Sequence, residues 1–138
     1  MRWVSRSDVG PMLSTLWVYV LLNILFRDIH ELFRPGFVEE LLGSNFDQAV
    51  VFAGGVALQL PLALVVLSRL LHRRWARIAN LGVAALMALV TATTWPKDAD
   101  DVLFSGFELL GLAAIAVLAL RWREDSQEVS VTQETRSP

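Results

Sequence analysis

Four long runs of apolar residues, separated by short polar segments, set the pattern of this chain. The runs predict helices at about 12–33, 48–71, 78–95 and 102–120. Each run contains 18 to 24 residues, which is enough to cross about 30 Å of hydrocarbon. The pattern therefore predicts an all-α integral membrane protein, a bundle of four transmembrane helices.

The segment after the first run is predicted to lie at the membrane surface. Pro35 and Gly36 end the first helix, because proline lacks a backbone donor and restricts the residue before it. In residues 37–47, apolar positions recur at helical spacing while Glu39 and Glu40 lie on another side. This arrangement is typical of a short amphipathic interfacial helix.

The two ends of the chain differ from its membrane part. Residues 1–11 form a short lead that we place in the cytoplasm, and residues 123–138 contain few apolar side chains, so we predict a disordered cytoplasmic tail. The intervening residues, 12–122, form one membrane domain. Arg27 and Asp28, near the end of the first run, stand where a signal peptide would have small residues for cleavage, so we predict a retained helix.

Basic residues are concentrated on alternate loops. Eight lie in the lead, the connector after the second run and the start of the tail, whereas two lie in the other loops. The eight are Arg2, Arg6, Arg69, Arg73, Arg74, Arg77, Arg121 and Arg123. By the positive-inside rule, this bias predicts that both termini are cytoplasmic.

Composition limits the chemistry that the chain can perform. It is 54% hydrophobic and 19% charged, with a net charge of −2, so a lipid bilayer is an expected partner and nucleic acid is not. The absence of cysteine excludes disulfides and thiolate metal sites. His30 and His72 are predicted on opposite membrane faces, which argues against a haem or copper site. We expect no cofactor.

A cluster of polar and charged residues lies at the end of the first run. At about 100° per residue, Asn23, Arg27, His30 and Glu31 share one stripe of the helix, and Asp28 lies off its edge. A charged side chain facing lipid at a helix centre costs about 2.5–3.5 kcal/mol. We therefore expect the stripe to face the other helices.

Depth in the membrane suggests partners for this cluster. At about 1.5 Å per residue, Arg27 and Glu108 both lie roughly 9 Å below the predicted outer surface, so we expect them to pair. By the same count, Asn23 and Gln59 lie roughly 15 Å deep and are expected to hydrogen-bond to each other.

These residues together predict a polar pocket in the outer half of the bundle, lidded by residues 36–47. Its predicted members are Asn23, Arg27, Asp28, His30, Glu31, Gln59, Trp95 and Glu108. Such a pocket would handle a proton, an ion or a small molecule. Two alternatives stay open: the polar pairs only fix the order of the helices, or Arg27 and Glu31 extend to the outer headgroups.

Catalytic and metal-binding arrangements are not indicated. Asp28, His30 and Glu31 diverge around their helix, so they are not expected to share a metal ion. Ser105 is the nearest serine to Glu108, and no serine–histidine or two-aspartate arrangement accompanies it. No residue is predicted to be catalytic, and an enzyme ranks third among the function classes.

Two function classes therefore stay open. Ala84, Ala88 and Ala92 recur every four residues and predict a seam for close helix packing, which favours an accessory or structural protein that assembles with itself or with another membrane protein. The second class is a carrier or channel subunit that uses the polar pocket. A water-accessible cavity reaching Asn23 and Gln59 would favour transport, and a tightly packed interior would favour assembly.

Three stretches of the sequence resemble a known family. They are LWVYVLLNILFRDIHELFRPGFVEELL, PLALVVLSRLL and RRWARIAN, and their matching features are Asn23, Asp28, Pro35-Gly36, Glu39-Glu40 and Leu67-Ser68-Arg69. Over about residues 12–122 the chain resembles a family of small four-helix bacterial membrane proteins, a domain of unknown function. The resemblance implies four spans and a bacterial plasma membrane location, and it implies no activity.

Overall fold

Five α-helices make up the computed structural model, which describes residues 8–44, 47–94 and 99–122. The helices are α1 (Val9–Leu32), α2 (Phe37–Gly43), α3 (Gln48–Leu70), α4 (Arg73–Thr93) and α5 (Ala99–Arg121). All but α2 are long and apolar enough to cross a membrane. The predicted fold class, four long apolar helices with a short helix after the first, is confirmed. The predicted tail, and the lead up to residue 7, lie outside the described residues.

The turn between α1 and α2 depends on a glycine. Gly36 has a φ of +83°, a left-handed conformation that glycine adopts without the steric penalty of a Cβ. Arg34 then joins the two helices through its guanidinium, which donates to Glu31 at 2.9 Å and to Glu40 at 2.8 Å. These hydrogen bonds, to Glu40 first and then to Glu31, raise the pKa of the Arg34 side chain.

The connection between α3 and α4 is shorter than the sequence predicts. The third span was expected to begin at Ile78, whereas α4 begins at Arg73 with His72 as its N-cap. The apolar pattern marks where hydrocarbon ends, but arginine is a good helix former and continues the helix beyond that point. The basic connector is therefore the first part of α4.

The four long helices form an antiparallel bundle in chain order. In that arrangement α1 packs beside α3 and α5, and α4 also packs beside α3 and α5. Two polar contacts between neighbouring helices establish the register. Ser14 of α1 donates to the Val65 carbonyl of α3 at 2.6 Å, and Asn23 of α1 donates to the Phe104 carbonyl of α5 at 2.6 Å. Helices α1 and α4 therefore lie on one diagonal, and α3 and α5 on the other.

The core is formed mainly by α1. Leu13, Trp17 and Val20 are fully buried and pack in one cluster with Leu112 and Ile115 of α5. These α1 residues recur at three- and four-residue intervals, which places them on one face of the helix. The core face of α1 is therefore rotated away from the polar stripe that the sequence predicts.

Two glycines let the helices approach closely. A Cβ at Gly10 would lie 2.8 Å from the Ser68 carbonyl oxygen of α3, and a Cβ at Gly111 would lie 2.8 Å from Cγ2 of Val20. Both distances are shorter than van der Waals contact. Glycine at these positions therefore fixes the spacing of α1 against both of its neighbours.

Helix α3 is packed unevenly along its length. Pro61, Leu64 and Ser68 in its second half are buried. From Val51 to Leu60 every residue is exposed except Ala57, which is half-buried. The first half of α3 thus presents most of its surface away from the bundle.

Candidate functional site

A buried carboxylate joins three helices in one half of the bundle. Glu108 of α5 is only 1% exposed. Its Oε2 accepts a hydrogen bond from Arg27 Nη1 of α1 at 3.2 Å, and its Oε1 accepts one from the Thr91 hydroxyl of α4 at 2.6 Å. We call Arg27, Thr91 and Glu108 the Glu108 network.

The expected pairing of Arg27 with Glu108 is confirmed. It arises because both residues lie at matching positions along antiparallel neighbours, so the fixed helical rise brings them to one level. A charge-assisted hydrogen bond of this kind is about twice as strong as a neutral one. Thr91 was not foreseen, and its hydroxyl also lies 3.0 Å from the Met87 carbonyl oxygen.

The expected hydrogen bond between Asn23 and Gln59 is wrong. Asn23 donates instead to the Phe104 carbonyl of α5, whereas Gln59 is exposed on α3. Equal depth was the basis of the expectation, but depth does not determine which way a side chain points. By helical angle, Gln59 lies on the side of α3 opposite to its buried Pro61 and Ser68.

The remaining predicted pocket residues are distributed around the end of α1. Asp28 is 61% exposed, with its Oδ1 4.0 Å from Arg27 Nε. His30 is exposed and places Nε2 3.4 Å from Asp100 Oδ2 at the start of α5. Glu31 pairs with Arg34. The structure therefore brings Arg27 and Glu108 together and places Asp28, His30 and Glu31 outside that contact.

The predicted lid segment contains α2, which packs on α1. The residues of α2 are exposed apart from Phe37, which is half-buried beneath the guanidinium of Arg34 at 5.4 Å. The other lining residue predicted for the rim, Trp95, lies outside the described residues.

A second polar network lies in the other half of the bundle. Asn80 of α4 is fully buried, and its Oδ1 accepts from Trp17 Nε1 at 2.6 Å and from the Ser68 hydroxyl at 3.1 Å. Its amide nitrogen donates to the Ala76 carbonyl oxygen at 2.7 Å. This Asn80 network links α1, α3 and α4 across the diagonal of the bundle, and sequence reasoning missed it.

The buried face of α4 explains that omission. It consists of Ala76, Asn80, Ala84, Met87 and Thr91. The predicted seam shares only Ala84 with this face, since Ala88 is half-buried and Ala92 is exposed. The alanine spacing identified α4 as a helix that packs closely, but it did not identify the face that is buried. The polar residues Asn80 and Thr91 were the signal in the sequence for that face.

The basic end of the bundle contains an unpaired donor. Among the residues that the structure describes, Arg77 Nε is buried without a hydrogen-bond partner. Nearby, Arg73 lies over the Trp122 ring at 6.0 Å and Arg74 over the Trp75 ring at 5.9 Å. These aromatic contacts hold arginine side chains at the turn between α3 and α4, where the sequence predicts the cytoplasmic surface.

A groove of about 500 Å³ lies between α1 and α3. Ser14, Val18, Val65 and Arg69 are among its lining residues. Neither Asn23 nor Gln59 lines it. It is therefore not the cavity that the transport interpretation requires.

Fold and interior together define a class of protein: a bundle of four helices long and apolar enough to cross a bilayer, linked inside by two hydrogen-bonded polar networks. The chain belongs to a family of unknown function (DUF6326), whose model matches residues 2–129. The curated proteins and the solved structures contained no match. Family membership thus confirms the resemblance without assigning an activity.

Proposed function

We propose that this chain is an accessory or structural membrane protein that assembles within the bilayer with another polypeptide. The observation that carries the proposal is Gln59, an exposed amide at the centre of α3. In a bilayer, the middle of a spanning helix is in hydrocarbon, where an amide without a partner costs about 4–8 kcal/mol on a cyclohexane scale. A neighbouring protein would supply the partner that Gln59 does not have within the described ranges of the chain.

The interior of the bundle supports the same proposal. Glu108 and Asn80 are buried, and each is hydrogen-bonded to side chains of two other helices. Fully paired networks of this kind fix the order and register of helices. The internal polar groups are thus engaged in holding the bundle together.

For location, we propose a bacterial plasma membrane with both termini in the cytoplasm. The distribution of basic residues supports this orientation. Because the chain has no cysteine, single substitutions report sidedness directly. In intact cells, a membrane-impermeant maleimide is expected to label Ser44→Cys and to spare His72→Cys until the membrane is opened. The reverse labelling would contradict the orientation.

A second candidate function is a carrier or channel subunit for a proton, an ion or a small molecule. The observation that favours it is the 24% exposure of the Arg27 side chain. Part of the Arg27 side chain therefore lies at the surface of the bundle while it contacts the buried Glu108. Ionisable residues within membrane-spanning helices often mark ion or substrate pathways.

Native mass spectrometry distinguishes the two functions. The wild-type chain and Arg27→Ala would be extracted from membranes and released from nanodiscs. Assembly predicts a complex of defined stoichiometry, heavier than the 15.4 kDa chain, that is present in both proteins. A monomer that carries a small molecule, lost in Arg27→Ala, would overturn assembly in favour of the carrier.

A further inference from the structure

Resting on the proposed assembly function, we propose that the partner is a second copy of this chain, and that the two copies meet through the exposed face of α3. We call this surface the Gln59 face. Its members are Phe52, Gly55, Gln59, Leu62 and Val66. The two copies are related by a two-fold axis along the membrane normal, and the two Gln59 amides hydrogen-bond to each other.

The Gln59 face is one continuous stripe of α3. At about 100° per residue, its five members fall within roughly 80° of one another. All five are exposed, and they lie opposite the face that packs on the bundle through Leu64 and Ser68. Val66 also borders the groove between α1 and α3, and the other four members are directed away from the rest of the chain.

Gly55 allows another helix to come close at this surface. A Cβ at Gly55 would meet no atom within 4 Å, so the chain's own packing does not require glycine there. Glycine in a helix interior is destabilising relative to alanine. In membranes, small residues permit close backbone approach between helices, and polar residues one turn away add hydrogen bonds.

The amide chemistry selects a second copy as the partner. Copies inserted in one orientation place Gln59 at the same depth, so a two-fold axis brings each amide to its equivalent. A glutamine amide has both donors and acceptors and is thus complementary to itself. No member of the Gln59 face is charged, so the surface requires no partner of opposite charge.

Cysteine crosslinking in native membranes tests this interface. Leu62→Cys lies on the Gln59 face, and Leu110→Cys is its control, because Leu110 is similarly exposed near the middle of α5, diagonally across the bundle. A disulfide requires Cβ atoms about 3.8 Å apart. Oxidation is expected to produce a covalent dimer of Leu62→Cys and not of Leu110→Cys. A dimer of Leu110→Cys alone would overturn the proposed interface.

Two glycine variants distinguish a specific interface from crosslinking by random collision of chains in the membrane. In the Leu62→Cys background, Gly55→Leu is expected to lower the crosslinked fraction at least about fivefold, because the larger side chain separates the helices. Gly106→Leu is the matched control, since Gly106 is also exposed with nothing within 4 Å of an added Cβ. Equal crosslinking in both variants would contradict the proposal.

Different results would contradict the proposed self-association and the proposed assembly function. A complex in native mass spectrometry that contains a different protein, with no crosslinking of Leu62→Cys, would overturn the self-association and leave the assembly function standing. A chain that is monomeric in native mass spectrometry and in crosslinking would overturn both.

Discussion

Helices α1 and α3 are neighbours of nearly equal length, 24 and 23 residues, yet the bundle encloses them very differently. Within the apolar 18-residue stretch of each helix, 39% of α1 is buried inside the bundle, compared with 17% of α3. Helix α1 contacts both of its neighbours closely at Gly10 and Gly111, whereas Gly54 and Gly55 of α3 face open space. The chain completes its packing around α1 and leaves the first half of α3 uncovered.

This difference shows what selects the buried side of an apolar helix. In the bilayer that we propose for this chain, lipid tails are as apolar as leucine, so apolar character alone would not direct a helix face inward. The buried face of α1 instead carries Trp17, whose indole reaches Asn80, and its neighbouring stripe carries Arg27, which reaches Glu108. Polar and small residues decide the packing, and Gln59 of α3 is a polar residue with no hydrogen-bond partner among the residues that the structure describes.

The largest effect is expected from Arg27→Ala. Removing the guanidinium leaves the buried Glu108 without its cationic partner and with only the Thr91 hydroxyl, which should lower the free energy of unfolding by about 3 kcal/mol. Asp28→Ala is the control, because this exposed side chain lies 4.0 Å from Arg27 Nε and should change stability by less than about 0.5 kcal/mol. Circular dichroism during titration with sodium dodecyl sulfate would measure both. Equal stability of the two variants would show that the Glu108 network does not hold α1 in place.

The next largest effects are expected from alanine substitution of glycines, which tests the difference in packing between α1 and α3. Gly10→Ala introduces a Cβ 2.8 Å from a backbone oxygen of α3, and we expect a loss of about 1–3 kcal/mol. Gly54→Ala, with open space around its Cβ, should stabilise the helix by roughly 0.5–1 kcal/mol. The same titration measures both variants, and effects of equal sign would contradict the asymmetry between α1 and α3.

A smaller loss is expected from Asn80→Ala. The substitution leaves Trp17 Nε1 and the Ser68 hydroxyl without their shared acceptor, and hydrogen bonds in membrane bundles contribute about 0.6–2 kcal/mol. Gln59→Ala provides the comparison, since this amide makes no hydrogen bond within the described part of the chain. In dilute detergent, Asn80→Ala should unfold earlier than the parent chain and Gln59→Ala should not. Earlier unfolding of Gln59→Ala alone would reverse the assignment.

The smallest effect should come from His30→Ala. The imidazole pairs with Asp100 at 3.4 Å, and both side chains are largely exposed. Exposed pairs contribute about 0–1 kcal/mol. A loss comparable to that of Arg27→Ala would show that the exposed end of α1 is as important to the bundle as its buried part.

The sequence was sufficient for the helices and for one long-range contact. Apolar run length predicts four spans, and the constant rise of an α-helix predicts that Arg27 and Glu108 meet. The rotation of each helix about its own axis is independent of the depth of its residues. For that reason, the same depth argument was wrong for Asn23 and Gln59. Rotation depends on which side chains find partners across three helices at once. The partners of Asn80, Trp17 and Ser68, therefore became evident only in the folded bundle.

The most direct test of the proposed Gln59 interface is self-association of wild-type and Gln59→Leu chains in liposomes. Donor and acceptor dyes attached at Ser44→Cys, in the otherwise cysteine-free chain, would report dimers by energy transfer across a range of protein-to-lipid ratios. If the two Gln59 amides hydrogen-bond across the dimer, Gln59→Leu should raise the dissociation constant about threefold to thirtyfold while the stability of the monomer is unchanged or higher. Unchanged energy transfer in Gln59→Leu would contradict it.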